Sequence, residues 1–115
     1  MHTAKERRRS TRIEARFLVE WDAGEFLAPA EAADVSPHGL FIETPRAVAI
    51  GQLVRVRLHV PDGGAPIECY SWIRWRRDAG AVGMGLQLFA MSEQERERWT
   101  AYYMHCYWRA QRQAA

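Results

Sequence analysis

Apolar and polar residues alternate along most of this chain with a period of two. Ile13, Ala15, Phe17, Val19 and Trp21 fall on one face and Glu14, Arg16 and Glu20 on the other, which predicts a half-buried strand. The sequence DAG at 22–24 is turn chemistry and predicts a hairpin into a second strand at about 25–34. SPHG at 36–39 breaks the chain again, a short apolar strand follows at 40–43, and 45–51 reads as a loop. Val54, Val56, Leu58 and Val60 then alternate with Arg55, Arg57 and His59, and PDGG at 61–64 is a strong turn signal. In a fifth strand, Ile67, Cys69, Ser71, Ile73 and Trp75 line one face and Glu68, Arg74 and Arg76 the other. A sixth carries Val82, Met84, Leu86 and Leu88 on one face and Gly83, Gly85, Gln87 and Phe89 on the other. Its two glycines suggest a bend or a close backbone approach.

Six short strands separated by turns, with no helix-length crossover between them, predict a six-stranded antiparallel β-barrel. The end of the chain changes period. Ser92 and Glu95 form an S-x-x-E capping box, acids crowd the first turns, and Arg109 and Arg112 lie near the other end, all of which suits a helix at about 92–111. Trp99, Tyr102, Tyr103, Cys106 and Tyr107 recur at helical spacing and mark one face; Met104 and Trp108 lie outside it. Two readings stay open for that face: a cap over one end of the barrel, or a surface for a homodimer or a protein partner.

The chain has 115 residues, which fits one domain with a real core. Its net charge of +2 hides an asymmetry. Residues 1–12 carry five bases and one acid, whereas the rest carries 11 bases and 13 acids. The basic excess therefore forms an N-terminal arm, 1–12, ahead of the barrel at 13–91 and the helix and tail at 92–115. Such asymmetry suggests an anionic partner: nucleic acid, an anionic membrane or a phosphorylated ligand. The two cysteines, Cys69 and Cys106, form no CxxC and read as reduced, buried thiols. No apolar run is long enough to span a membrane or to follow the basic start as a secretion signal, so the cytoplasm is the expected location.

Two local patterns carry the chemistry. The first is Arg8-x-x-x-Arg12 within the run KERRRSTR at 5–12. The second is Asp34-x-Ser36-x-x-Gly39, followed by Leu40, Phe41 and Ile42. RxxxR, then D/N-x-S-x-x-G some twenty residues on, then a β-barrel, resembles the PilZ domain family, bacterial receptors for the second messenger cyclic di-GMP. The resemblance spans about residues 6–90, and GMGLQL at 83–88 is similar to the family's last barrel strand. It implies that Arg8 and Arg12 hold phosphates and stack on bases, while Asp34, Ser36 and Gly39 read a guanine on the barrel surface. Arg7 and Arg9 extend the set. The residue before the first motif arginine is linked in the family to stoichiometry, and Arg7 in that place leans towards an intercalated pair of nucleotides.

The residue chemistry suits these roles. Arginine presents a planar fork of donors to phosphate oxygens and to guanine O6 and N7. Asp34 is an acceptor for guanine N1–H and N2–H, Ser36 brings a hydroxyl, and Gly39 permits a turn and close approach. Arg8 and Arg12 lie about 13 Å apart on an extended arm, so gripping one ligand needs an arm that folds round it. The expected protein is a non-catalytic receptor that signals to an unidentified protein partner. Two alternatives remain: a single-stranded nucleic-acid binder, the less expected, and a ligand-independent interaction module docking through Trp99 or Tyr103. The four histidines show no metal-ligand spacing, no P-loop is present, and no cofactor is implied beyond the nucleotide ligand.

Overall fold

The computed structural model describes residues 12–22, 24, 27–46 and 48–114. Among the described residues, seven strands and one helix follow in order: β1 Ile13–Glu14, β2 Leu18–Asp22, β3 Ala28–Ser36, β4 Gly39–Glu43, β5 Leu53–Leu58, β6 Ile67–Arg77, β7 Gly83–Phe89 and α1 Glu93–Ala114. Every pairing is antiparallel. The order β3-β2-β5-β6-β7-β4 closes on itself through β3–β4, giving a six-stranded barrel with β1 as an extra strand on β3. Closure pairs the edges that an open sheet would expose.

The extra strand arises because the first alternating run is broken. β1 and β2 lie along the same edge of β3, but their registers differ by one residue: Glu14 faces Asp34, whereas Leu18 faces Glu31. Ala15 N–H and Phe17 C=O keep backbone bonds to Ala33 and Ala32 across the break, at 3.1 and 2.9 Å. The buried alternation of Ala15, Phe17, Val19 and Trp21 survives.

Val19, Val56, Leu58, Ile67, Ile73 and Met84 fill the barrel, all effectively without exposure. The helix begins at its expected cap: Glu95 N–H donates to Ser92 Oγ and Ser92 N–H to Glu95 Oε1, each at 3.1 Å. Its aromatic face closes one end of the barrel. Trp99, Tyr102, Tyr103 and Cys106 are buried, and Phe17 meets Trp99 and Tyr102 edge-on at 6.3 and 5.4 Å. Trp99 and Tyr103 are therefore core residues and not a docking face, while Met104 and Trp108 are exposed. Arg98 fixes the helix to the β5–β6 turn with two hydrogen bonds to Asp62, at 2.8 and 2.9 Å. Among the described residues no helix is long and apolar enough to cross a membrane.

Candidate functional site

Arg7, Arg8 and Arg9 lie outside the described residues, so the arm enters the structure at Arg12. From there the fold brings the two motifs together. Arg12 Nε donates to Asp34 Oδ1 at 3.2 Å, across 22 residues of chain. Both side chains are about a quarter exposed. The pair forms because Ile13 is registered against Val35 and Glu14 against Asp34, which sets the residue before β1 beside the end of β3.

Asp34 points outward because of a bulge. Ala32 faces Ile42 and Asp34 faces Phe41, which leaves Ala33 as an extra residue in β3. The inward phase is reset, so that Ala32 and Val35, three apart, are both buried. Asp34 then shares the outer face with its cross-strand partner, Phe41.

A second bulge builds the rest of the site. Ile73 faces Leu86, but Trp75 faces Gly85, so Arg74 is extra and the following residues change sides. The alternation of β6 predicted Trp75 inside the barrel with Ile73; the bulge places it outside. Trp75, Gly85, Phe41, Asp34 and Glu14 thus form one row across five strands. Gly85 is the gap in that row. A Cβ there would lie 2.0 Å from Trp75 Nε1, so only glycine lets the indole cross β7 and lie on Phe41. The rings stack at 4.9 Å between centroids and 9° between planes.

Among the described residues, two guanidiniums cover this aromatic floor. Arg12 lies 4.7 Å over the Trp75 ring, and Arg77 lies 4.6 Å over Phe41 and 5.6 Å from Trp75. Arg12, Glu14, Asp34, Phe41, Glu43 and Arg77 line a shallow depression of about 460 Å³. Its far wall is acidic, and there Arg16 ties Glu31 and Glu43 at 3.2 and 2.7 Å. Among the described residues, the depression thus brings the Asp34 carboxylate, a flat aromatic face and the guanidiniums of Arg12 and Arg77 into one patch. The period-two pattern does not mark Trp75, Phe41 or Arg77 as site residues. The aromatic before an Arg pair in WRR at 75–77 was the only local signal.

Ser36 and Gly39 frame the turn between β3 and β4. Ser36 Oγ donates to Gly39 C=O at 3.3 Å, and the two residues face each other in register. Gly39 differs from the expectation that it turns the chain. Its φ is not positive, and the turn is made by Pro37 and His38. What excludes a side chain is space: a Cβ on Gly39 would lie 1.9 Å from the Leu86 carbonyl oxygen on β7. The same turn touches the helix, because Trp99 Nε1 donates to Ser36 C=O at 3.2 Å. Trp72, also on the outer face of β6, stacks on Phe89 at 5.3 Å, away from this row. Among the described residues no group of three His, Cys, Asp or Glu side chains is placed to hold a metal ion.

Residues 6–105 match the family described as PilZ domain. No curated protein sequence matches significantly. Two solved structures are similar. One is the inhibitor of motility MotI/DgrA of Bacillus subtilis, with 14% identity, a TM-score of 0.68, and coverage of 83% of this chain and 48% of that one. The other is the PilZ domain of CeSA from a cellulose-synthesizing bacterium, with 19% identity, a TM-score of 0.60, and coverage of 82% and 95%. This chain spans about half the length of MotI/DgrA.

Proposed function

The chain belongs to the PilZ domain family, a cyclic di-GMP-binding family, and from that premise we propose that it is a receptor for cyclic di-GMP. The observation that carries the reading is the meeting of the two motifs. Arg12 of RxxxR stands on Asp34 of D-x-S-x-x-G, above Trp75.

Each part of the depression answers one part of the ligand. Asp34 accepts from guanine N1–H and N2–H. The Trp75 ring, against which Phe41 packs and over which Arg12 lies, stacks the base. Arg12 and Arg77 meet phosphate oxygens, joined by Arg8 and the neighbouring Arg7 and Arg9 when the arm closes. The acidic wall of Glu14 and Glu43 disfavours a long polyanion running across the site, which supports a compact ligand over single-stranded nucleic acid.

Binding is read out by position. The arm reorders over the barrel, and the base-reading turn is tied to the helix through the Trp99–Ser36 hydrogen bond. A partner protein then recognises the rearranged arm and turn. The role is that of a receptor with no reaction of its own.

Calorimetric titration with cyclic di-GMP, beside GTP and cyclic GMP, tests this reading. Saturable heat with cyclic di-GMP alone, lost in Arg8→Ala and Asp34→Ala, is the expected result. A ligand at about 100 times its Kd should also stabilise the fold by roughly 2.7 kcal/mol. Neither heat nor a thermal shift at high ligand would sink the proposal. The titration also gives the stoichiometry, for which the position of Arg7 favours two nucleotides per protomer.

A further inference from the structure

We propose that in the free protein the guanidinium of Arg12 occupies the seat of a guanine base, as a resident stand-in for the ligand. This rests on the reading of the site as guanine-binding and adds how the site is controlled. Arg12 makes the two contacts that define the seat: an N–H···O bond to Asp34 Oδ1 at 3.2 Å, and a position 4.7 Å over the Trp75 ring.

A guanidinium and the N1–H, N2–H edge of guanine share the same recognition chemistry. Both are flat, both place N–H donors in their plane, and both lie favourably on an aromatic face. One carboxylate and one indole face therefore suit either group, and the two compete for them. The seat is rigid where it matters. Trp75 is backed by Phe41 and fills the space left by Gly85, while Asp34 is held outward by the bulge at Ala33. The occupant, Arg12, sits one residue before β1.

Binding is then an exchange. Arg12 leaves Asp34 and Trp75, the base takes its place, and the released guanidinium turns to a phosphate. The contact that closes the seat is a part-exposed ion pair with one cation–π contact, so it is weak enough for a guanine ligand to displace. A ligand unable to enter the seat leaves Arg12 on Asp34 and Trp75.

Guanosine separates seat occupancy from phosphate binding, because it has no phosphate for Arg12 to hold. Guanosine and adenosine are titrated into wild type, Arg12→Ala, Arg12→Gln and the Arg12→Ala/Asp34→Ala pair, following the Trp75 indole N–H by NMR. The expected result is guanosine binding about threefold to tenfold tighter in Arg12→Ala than in wild type, as the unfilled seat implies. Adenosine should be ignored, and the gain should be absent without Asp34. Arg12→Gln gives the same comparison if the alanine variant folds poorly. Equal or weaker guanosine binding in the Arg12 variants, or none in any protein, overturns the inference. A guanosine gain without cyclic di-GMP binding by wild type would instead keep the exchange and sink the receptor reading.

Discussion

Trp75 lies flat on Phe41 although their strands are not neighbours: β7 runs between them, and Gly85 is the point at which the indole crosses it. Two prerequisites meet there, a bulge that turns Trp75 outward and a residue without a side chain. The stack makes a flat, supported platform next to Asp34.

Trp75→Ala should weaken cyclic di-GMP binding by about 1–3 kcal/mol, the size of one base–aromatic stack, and Trp75→Phe should keep most of the affinity. Gly85→Ala should lose affinity as well, because the new methyl group displaces the indole. Calorimetry on the three variants checks this. Unchanged binding in Trp75→Ala would remove the indole from the site.

Gly39→Ala is expected to reduce folding stability by about 1–3 kcal/mol or more. Its Cβ would meet the backbone carbonyl of Leu86, which cannot swing aside as a flexible side chain can, so β4 must part from β7. Urea denaturation gives the value. Because β4 also closes the barrel onto β3, the loss should appear as global unfolding and not as local fraying.

Acid should loosen the helix from the barrel. The hydrogen bonds from Arg98, and then the Gly64 N–H, hold the Asp62 carboxyl below its ordinary value. Burial pushes the Glu95 carboxyl up, but the N–H groups of Glu68 and Ser92 outweigh it and the net direction is down. A depressed folded value means stability that is fully present above the unfolded carboxylate range of about 4 and is lost as pH falls through the folded values. Thermal melts from pH 7 to pH 2 should therefore show a loss confined to the acid side. In Arg98→Ala that acid-side loss should be smaller, from a lower starting stability.

Glu95→Ala should be more damaging than Ser92→Ala. The serine serves one N–H, at a typical capping worth of about 1 kcal/mol. Glu95 accepts from Ser92 N–H and, through its other oxygen, from Glu68 N–H on β6 at 3.1 Å, so its loss uncaps the helix and detaches it from the sheet. Paired denaturation curves of the two variants order them; equal losses would contradict the second role.

Both thiols should be silent in the native protein. Cys69 and Cys106 are buried, and burial pushes the Cys69 thiol up to about 12. Since the thiolate is the reactive form, a thiol reagent at pH 8 should modify neither until denaturant is added. Rapid labelling of Cys69 in the folded protein would show that the barrel opens far more often than its packing implies.

Much of this architecture was legible in the sequence, because the signals are local. Period-two alternation is a property of extended backbone, so Val54, Val56 and Leu58, or Met84, Leu86 and Leu88, declare their inward face without reference to any partner. The capping box at Ser92 and Glu95 and the helical spacing of Trp99, Tyr102, Tyr103 and Cys106 are equally local. The motifs at Arg8, Arg12, Asp34, Ser36 and Gly39 announce the family, although the arm beyond Arg12 lies outside the described residues. The glycines at 83 and 85 announced close approach, without saying to what.

What only the tertiary structure decided is where the alternation fails. A bulge is set by the register of the neighbouring strand, and register exists only once β3 has met β4 and β6 has met β7. One extra residue at Ala33 and another at Arg74 move every later side chain to the opposite face. They place Asp34 beside Arg12, 22 residues away, and carry Trp75 from its expected place in the core to the floor of the site. The sequence names the chemistry of the arm and the turn; closing the barrel brings them onto one surface.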